Sequence, residues 1–148
     1  MRTAVIAYPL QSIRDYWQNC VARFPRKTAF IGEGESVSYA EAHARAERLR
    51  GHLEGTCGLK PGGRVGYYMP NCLEYAIAYW ATINAGGVAV PINTRLRAEE
   101  ARHIAASVEA DILFVHADLR TAAEAAFPPG APPSHRVAVG FEGDGYLS

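Results

Sequence analysis

Residues 64–96 read RVGYYMPNCLEYAIAYWATINAGGVAVPINTRL, and the way this stretch divides decides the fold. Arg64 to Met69 is a short, mainly apolar run of strand length that follows the tight turn Pro61-Gly62-Gly63. Asn71 as cap, with Glu74 at the third position, announces a helix. From Leu73 to Ala85 that helix is apolar on nearly every face, so it must be covered on both sides. Gly86-Gly87 breaks it, and VAVPIN supplies a second strand. The 18 residues from Tyr75 to Ile92 carry no charge, which is near the lower limit for a membrane span. The glycine pair and Pro91 divide that run, so a buried helix followed by a buried strand accounts for it better than a span does.

The same alternation continues towards the C-terminus. Ala101, Ile104, Ala105 and Val108 mark the core face of a further helix, and DILFVH is the next strand. Asp118 caps a short alanine-rich helix, and HRVAVGF follows a Pro-rich loop from Pro128 to Pro133 as the last strand. Strands alternating with helices predict an α/β fold, a doubly wound, mostly parallel sheet flanked by helices. Upstream, Ser12 and Asp15 open a first helix, with Ile13, Trp17, Cys20, Val21 and Phe24 on one face and Pro25 ending it. TAFIGEGESVSY then has the pattern of a hairpin turning at Gly32-Glu33-Gly34. Ser38 and Glu41 form a full capping box for a second helix. Its apolar stripe is Tyr39, Ala42, Ala46, Leu49 and Leu53, Glu41 and Arg45 stand at i,i+4, and Gly55 and Gly58 lie beyond its end. No linker divides the chain, so residues 1–148 read as a single, incomplete domain.

Composition excludes several function classes. Lys+Arg and Asp+Glu are equal at 15 each, and no basic cluster interleaves with aromatics, which argues against a nucleic-acid partner. Cys20, Cys57 and Cys72 are odd in number and widely spaced, giving neither a disulfide framework nor a zinc site and fitting a reducing cytoplasm. MRTAVIAYPL has too short an apolar run for a secretory leader.

No catalytic constellation stands out either. The two lysines, Lys27 and Lys60, sit outside any phosphate loop, and the glycine groupings read as turns. His43, His52, His103, His116 and His135 lack ligand spacing, so no metal site is expected. None of the six serines lies in G-x-S-x-G. Glu99-Glu100 is first-turn charge that favours the helix dipole.

Taken in order, FPRKTAFI, VSYAEAHARAERLRGHL, LKPGGRVGYYMPNCLEYAIAYWATINAGGVAVPINTRL and AEEARHIAASVEADILFV resemble the N-terminal region of AMP-forming acyl-CoA synthetases, which are adenylate-forming enzymes. The resemblance runs from Phe24 to Val115, and the ending Asn93-Thr94-Arg95-Leu96 is similar to the acyl- and aryl-CoA branch. It implies a two-step reaction in the complete enzyme: a carboxylic acid and ATP form an acyl-adenylate and pyrophosphate, and the thiol of coenzyme A then displaces AMP. The family's Ser/Thr/Gly-rich loop ending in Pro-Lys-Gly, its Thr-Glu pair for Mg²⁺, its ribose-binding Asp and its C-terminal lysine are not in this sequence.

The expectation is therefore an N-terminal fragment without ligase activity of its own, the pattern stopping at GDGYLS, with ATP, Mg²⁺ and coenzyme A used by the complete enzyme. The alternative is a non-catalytic module that pairs with a separately encoded remainder or self-associates. An unrelated Rossmann-like nucleotide binder lacks its glycine fingerprint here. By the resemblance, Arg95 matches an arginine that in some synthetases contacts the nucleotide part of coenzyme A. Packing over the first turn of the next helix is the other reading of the same side chain. Arg97 stands where many members carry Ser or Thr, which removes a side-chain cap worth about 1 kcal/mol. Fatty, aryl and short-chain acids all remain open as substrates.

Overall fold

The structure is a computed structural model that describes residues 12–32, 34–128 and 130–147. The N-terminal segment MRTAVIAYPL, Glu33 of the hairpin turn, Pro129 of the Pro-rich loop and Ser148 at the end of GDGYLS lie outside the described residues. Helix α1 (Ile13–Arg23) begins with the Ser12/Asp15 capping box: Asp15 N–H donates to Ser12 Oγ at 3.2 Å, and Ser12 N–H donates to the Asp15 carboxylate at 3.0 Å. Strands β1 (Thr28–Gly32) and β2 (Glu35–Ser38) form the antiparallel hairpin. Helix α2 (Tyr39–Gly55) carries the second capping box, so Gly55 is its last residue rather than a residue beyond its end.

The anticipated Glu41–Arg45 pair does not form. The carboxylate of Glu41 is engaged by the backbone N–H and hydroxyl of Ser38, both at 2.8 Å, and Arg45 reaches instead to Glu35 on β2. The apolar face expected of α1 is also narrower than its spacing suggests. Only Trp17 of that helix is buried, while Ile13 is 51% exposed and Phe24 is 37% exposed. The helix packs on the domain through Trp17 and, in part, Val21, and no second surface covers its ends. The Trp17 ring is well held. Trp17 stacks on Trp80 with centroids 4.3 Å apart and planes at 13°, a pairing worth about 0.5–1.5 kcal/mol beyond burial.

The main sheet comprises β3 (Arg64–Tyr68), β4 (Val88–Pro91), β5 (Ile112–His116) and β6 (His135–Val139), in the order β4-β3-β5-β6 with every pair parallel. Its crossovers are α3 (Leu73–Asn84), α4 (Ala98–Ser107) and, after a single 3₁₀ turn, α5 (Arg120–Ala126). Side chains alternate across the pleat. Val65, Tyr67, Ile112 and Phe114 face a core shared with α2 and α3, while Tyr68, Leu113 and Val115 face a core shared with α4 and α5. The sheet is therefore covered on both faces, and the doubly wound α/β expectation holds.

The uncharged run divides as its glycines require. Gly86 adopts φ +73, and a Cβ on Gly87 would lie 3.0 Å from Thr82 Cγ2 and 3.1 Å from the Gly63 carbonyl oxygen. Among the described residues no helix is long and apolar enough to cross a membrane.

Two helix starts differ from the sequence reading. Cys72, not Asn71, is the N-cap of α3, because the chain stays extended for one more residue (φ −145, ψ 174) and Leu73 is then drawn under Gly32. Asp118 does not cap the alanine-rich helix. His116 caps the preceding 3₁₀ turn by accepting the Asp118 N–H at 3.2 Å, and α5 is entered from Leu119.

Candidate functional site

A parallel sheet in the order β4-β3-β5-β6 reverses direction between β3 and β5: the chain steps out one way to β4, then returns and builds β5 and β6 on the other side. The carboxyl ends of two strands that feed crossovers in opposite directions leave a crevice between them, the usual ligand position in open α/β sheets. Here that crevice is a groove of about 700 Å³. Its hairpin wall is Phe30, Ile31, Gly32 and Glu35. The loop after β3 and the start of α3 contribute Pro70, Asn71, Cys72, Leu73, Glu74 and Ala76, and His116 and Asp118 follow β5. Ile31 is 83% exposed.

The groove is acidic at its mouth. A hydrogen bond from Arg45 holds the Glu35 carboxyl below its ordinary range. The same guanidinium also feels Glu74, whose carboxylate is hydrogen-bonded to the Cys72 thiol. Nδ1 of His116 accepts the Asp118 N–H, which places the imidazole proton on Nε2, and Asp118 Oδ2 lies 3.4 Å from that Nδ1. Burial pushes the Cys72 thiol upward, so it is a poor source of thiolate at neutral pH. Among the described residues no group of three His, Cys, Asp or Glu side chains is arranged to hold a metal ion.

Arg95 is elsewhere. It sits on the turn after β4, where its N–H donates to Asn93 Oδ1 at 2.9 Å, and its side chain is exposed and makes no ion pair among the described residues. It shares the carboxyl end of the sheet with the groove but lies on the far side of β3 and does not line it. Arg97 caps α4 without an acceptor of its own. Only the reciprocal half of the box is made, Arg97 N–H to the Glu100 carboxylate at 2.8 Å. Sequence reasoning did not find the groove. The one signal for it, His116 and Asp118 directly after a predicted strand, acquires meaning only once the strand order is known.

Residues 17–143 match the family model described as AMP-binding enzyme. The chain belongs to the AMP-binding enzyme family. Within it, the chain is 32% identical over 93 residues to the long-chain-fatty-acid–CoA ligase of Escherichia coli O6:H1, covering 63% of this chain and 17% of that protein. It is 32% identical over 116 residues to the fatty acid–[acyl-carrier-protein] ligase ScoC of Streptomyces coeruleorubidus, covering 78% and 22%. Among solved structures, the anthranilate CoA ligase AuaEII in complex with anthranoyl-AMP superimposes with a TM-score of 0.84 at 25% identity, over 91% of this chain and 26% of that one. The N-terminal domain of FACL13 from Mycobacterium tuberculosis gives 0.79 at 27% identity, over 88% and 34%. The chain thus spans between 17% and 22% of the length of these two curated relatives. What it has in common with this AMP-binding family is the doubly wound sheet and its flanking helices, the N-terminal region of much longer ligases.

Proposed function

We propose that this chain is the N-terminal scaffold of an acyl-CoA synthetase and has no ligase activity by itself. The single observation that carries the reading is the family match over residues 17–143 in a chain without the Pro-Lys-Gly phosphate loop, the metal-holding Thr-Glu pair or the catalytic lysine. In the complete enzyme a carboxylic acid is activated by ATP to an acyl-adenylate and passed to coenzyme A, with Mg²⁺ on the phosphates. Charge developing on phosphate needs aimed N–H donors, a cation and a metal, and this chain's switch-point groove offers carboxylates in their place. Arg95 is the residue proposed to touch the nucleotide part of coenzyme A, as an exposed guanidinium that makes no ion pair among the described residues, at the carboxyl end of the sheet.

The test is ATP–pyrophosphate exchange by the purified chain across fatty, aryl and short-chain acids, where no exchange above background is expected. Acid-dependent exchange that co-purifies with the chain would overturn the reading. A second reading, assembly with a separately encoded remainder or with another copy, is favoured by the open groove and by the exposure of Ile31.

A further inference from the structure

The largest exposed apolar side chains are not scattered. Of the five that stand out among the described residues, Ile13, Tyr16 and Phe24 belong to α1 and its end and Ile31 to the wall of the groove, with Val88 apart on β4. The two surfaces adjoin, since Trp17 of α1 stacks on Phe30 at 6.0 Å and Phe30 lines the groove beside Ile31. They also carry opposite charge. The end of α1 and the turn after it carry Arg23, Arg26 and Lys27, with Arg23 and Lys27 both over the Phe24 ring and no acidic residue among them. At the groove mouth Glu35, Glu74 and Asp118 face one guanidinium, that of Arg45. A patch whose two neighbouring halves complement each other in sign and share exposed apolar side chains can meet a second copy of itself across a two-fold axis, each half engaging the other's opposite.

We propose that the chain forms a two-fold dimer in which the basic end of α1, with its exposed Tyr16 and Phe24, in one copy seats in the acidic switch-point groove of the other. This inference rests on the assembly reading above and names its surface and its partner, a second copy of this chain. Burial of Ile31, Tyr16 and Phe24 drives the contact, and the charges set its register.

The experiment measures dimer dissociation of the full chain by sedimentation velocity over a range of concentration and salt. Wild type is expected to dimerise, more weakly as salt rises. The reversals E74R/D118R and R23E/R26E are each expected to raise the dissociation constant at least about tenfold. Mixed in equal amounts, the two reversed variants are expected to form a heterodimer within about threefold of wild-type affinity, because both contacts regain opposite signs. Circular dichroism checks that each variant is folded. If a reversal unfolds the chain, E74Q/D118N takes its place, with weakening in the same direction. A wild-type chain that stays monomeric at every concentration overturns this inference and leaves assembly with a remainder standing. A dimer indifferent to all the reversals, or reversed variants that fail to pair, also overturns it, while the assembly reading itself survives on another surface.

Discussion

The contact between Tyr67 and Thr82 fixes how α3 lies on β3, and it can be perturbed from either side. Both residues are fully buried. The phenol donates to Thr82 Oγ1 at 2.5 Å, with the Ala78 carbonyl oxygen at 3.2 Å as second acceptor, and burial pushes its ionisation far above the ordinary range, so it remains a donor at any practicable pH. In Tyr67→Phe the Thr82 hydroxyl loses its partner but can turn its proton to the Ala78 carbonyl, four residues back in the same helix, so the cost is about 1–2 kcal/mol. In Thr82→Val a methyl replaces an oxygen that was at hydrogen-bond distance from the phenol, adding a steric push to the lost bond, for about 2–3 kcal/mol. The double variant removes donor and acceptor together and relieves the push, so it should cost only about 1 kcal/mol. The pair is thus expected to fall about 2 kcal/mol or more short of additivity. For a chain of this size about 2–4 °C of melting temperature corresponds to each kcal/mol, so Thr82→Val should melt well below the double variant. Thermal and urea unfolding followed by circular dichroism measure all four corners of the cycle. Singles whose costs simply add in the double would refute the reasoning, since the two hydroxyls would then not be acting as one unit.

Two further outcomes follow from the caps. Arg97→Ser places a hydroxyl acceptor on a cap backbone that already has extended geometry (φ −69, ψ 158) and already donates to Glu100, so it should stabilise the chain by about 1 kcal/mol in urea titration; a loss of stability would show that the arginine holds something more than the turn. For Glu41, the Ser38 backbone N–H and then its hydroxyl hold the carboxyl below its ordinary value of 4.5. Its folded-state value is depressed, so the stabilisation is complete above the unfolded value and is lost as pH falls through the folded one. Glu41→Gln keeps the capping geometry without the titration and should flatten the acid limb of the stability curve below pH 4.5, an effect an unchanged slope would exclude.

The elements were legible because their signals are local. Ser12, Ser38, Gly86-Gly87 and the alternation from Arg64 to Val139 act within a few residues, and the structure keeps all of them. Where the reading departed, a distant partner had decided. Leu73 is drawn under Gly32 and moves the α3 cap to Cys72, and Arg45 turns from Glu41 to Glu35 because the hairpin lies beside α2. The groove was hidden for the same reason on a larger scale. Its walls come from residues 30–35, 70–76 and 116–118, and only the strand order brings them together. Arg95 was named from resemblance, and spacing alone could not have said that it stands across β3 from the groove.

The sign of the charge at the carboxyl end of the sheet separates scaffold from chemistry. Strand ends at a switch point commonly receive phosphate where a helix N-terminus offers bare N–H groups. Helix α3 begins at such a place, with no side chain bonded at its cap. Yet Glu74 lies in its first turn, Asp118 stands across the groove, and the nearest guanidinium is occupied by Glu35. An anion approaching α3 would meet those carboxylates before it reached the helix dipole, whose whole contribution is about 0.3–1 kcal/mol at an exposed site. On the β4 side the balance reverses: Arg95, Arg97 and Arg102 outnumber Glu99 and Glu100, and Glu100 is engaged by the Arg97 N–H. One edge of one sheet therefore presents two surfaces, an acidic groove suited to a basic polypeptide face and a basic turn suited to phosphate. Adenylate chemistry is disfavoured on the first, so the proposed assembly contact is assigned to the groove and the proposed ligand contact to Arg95.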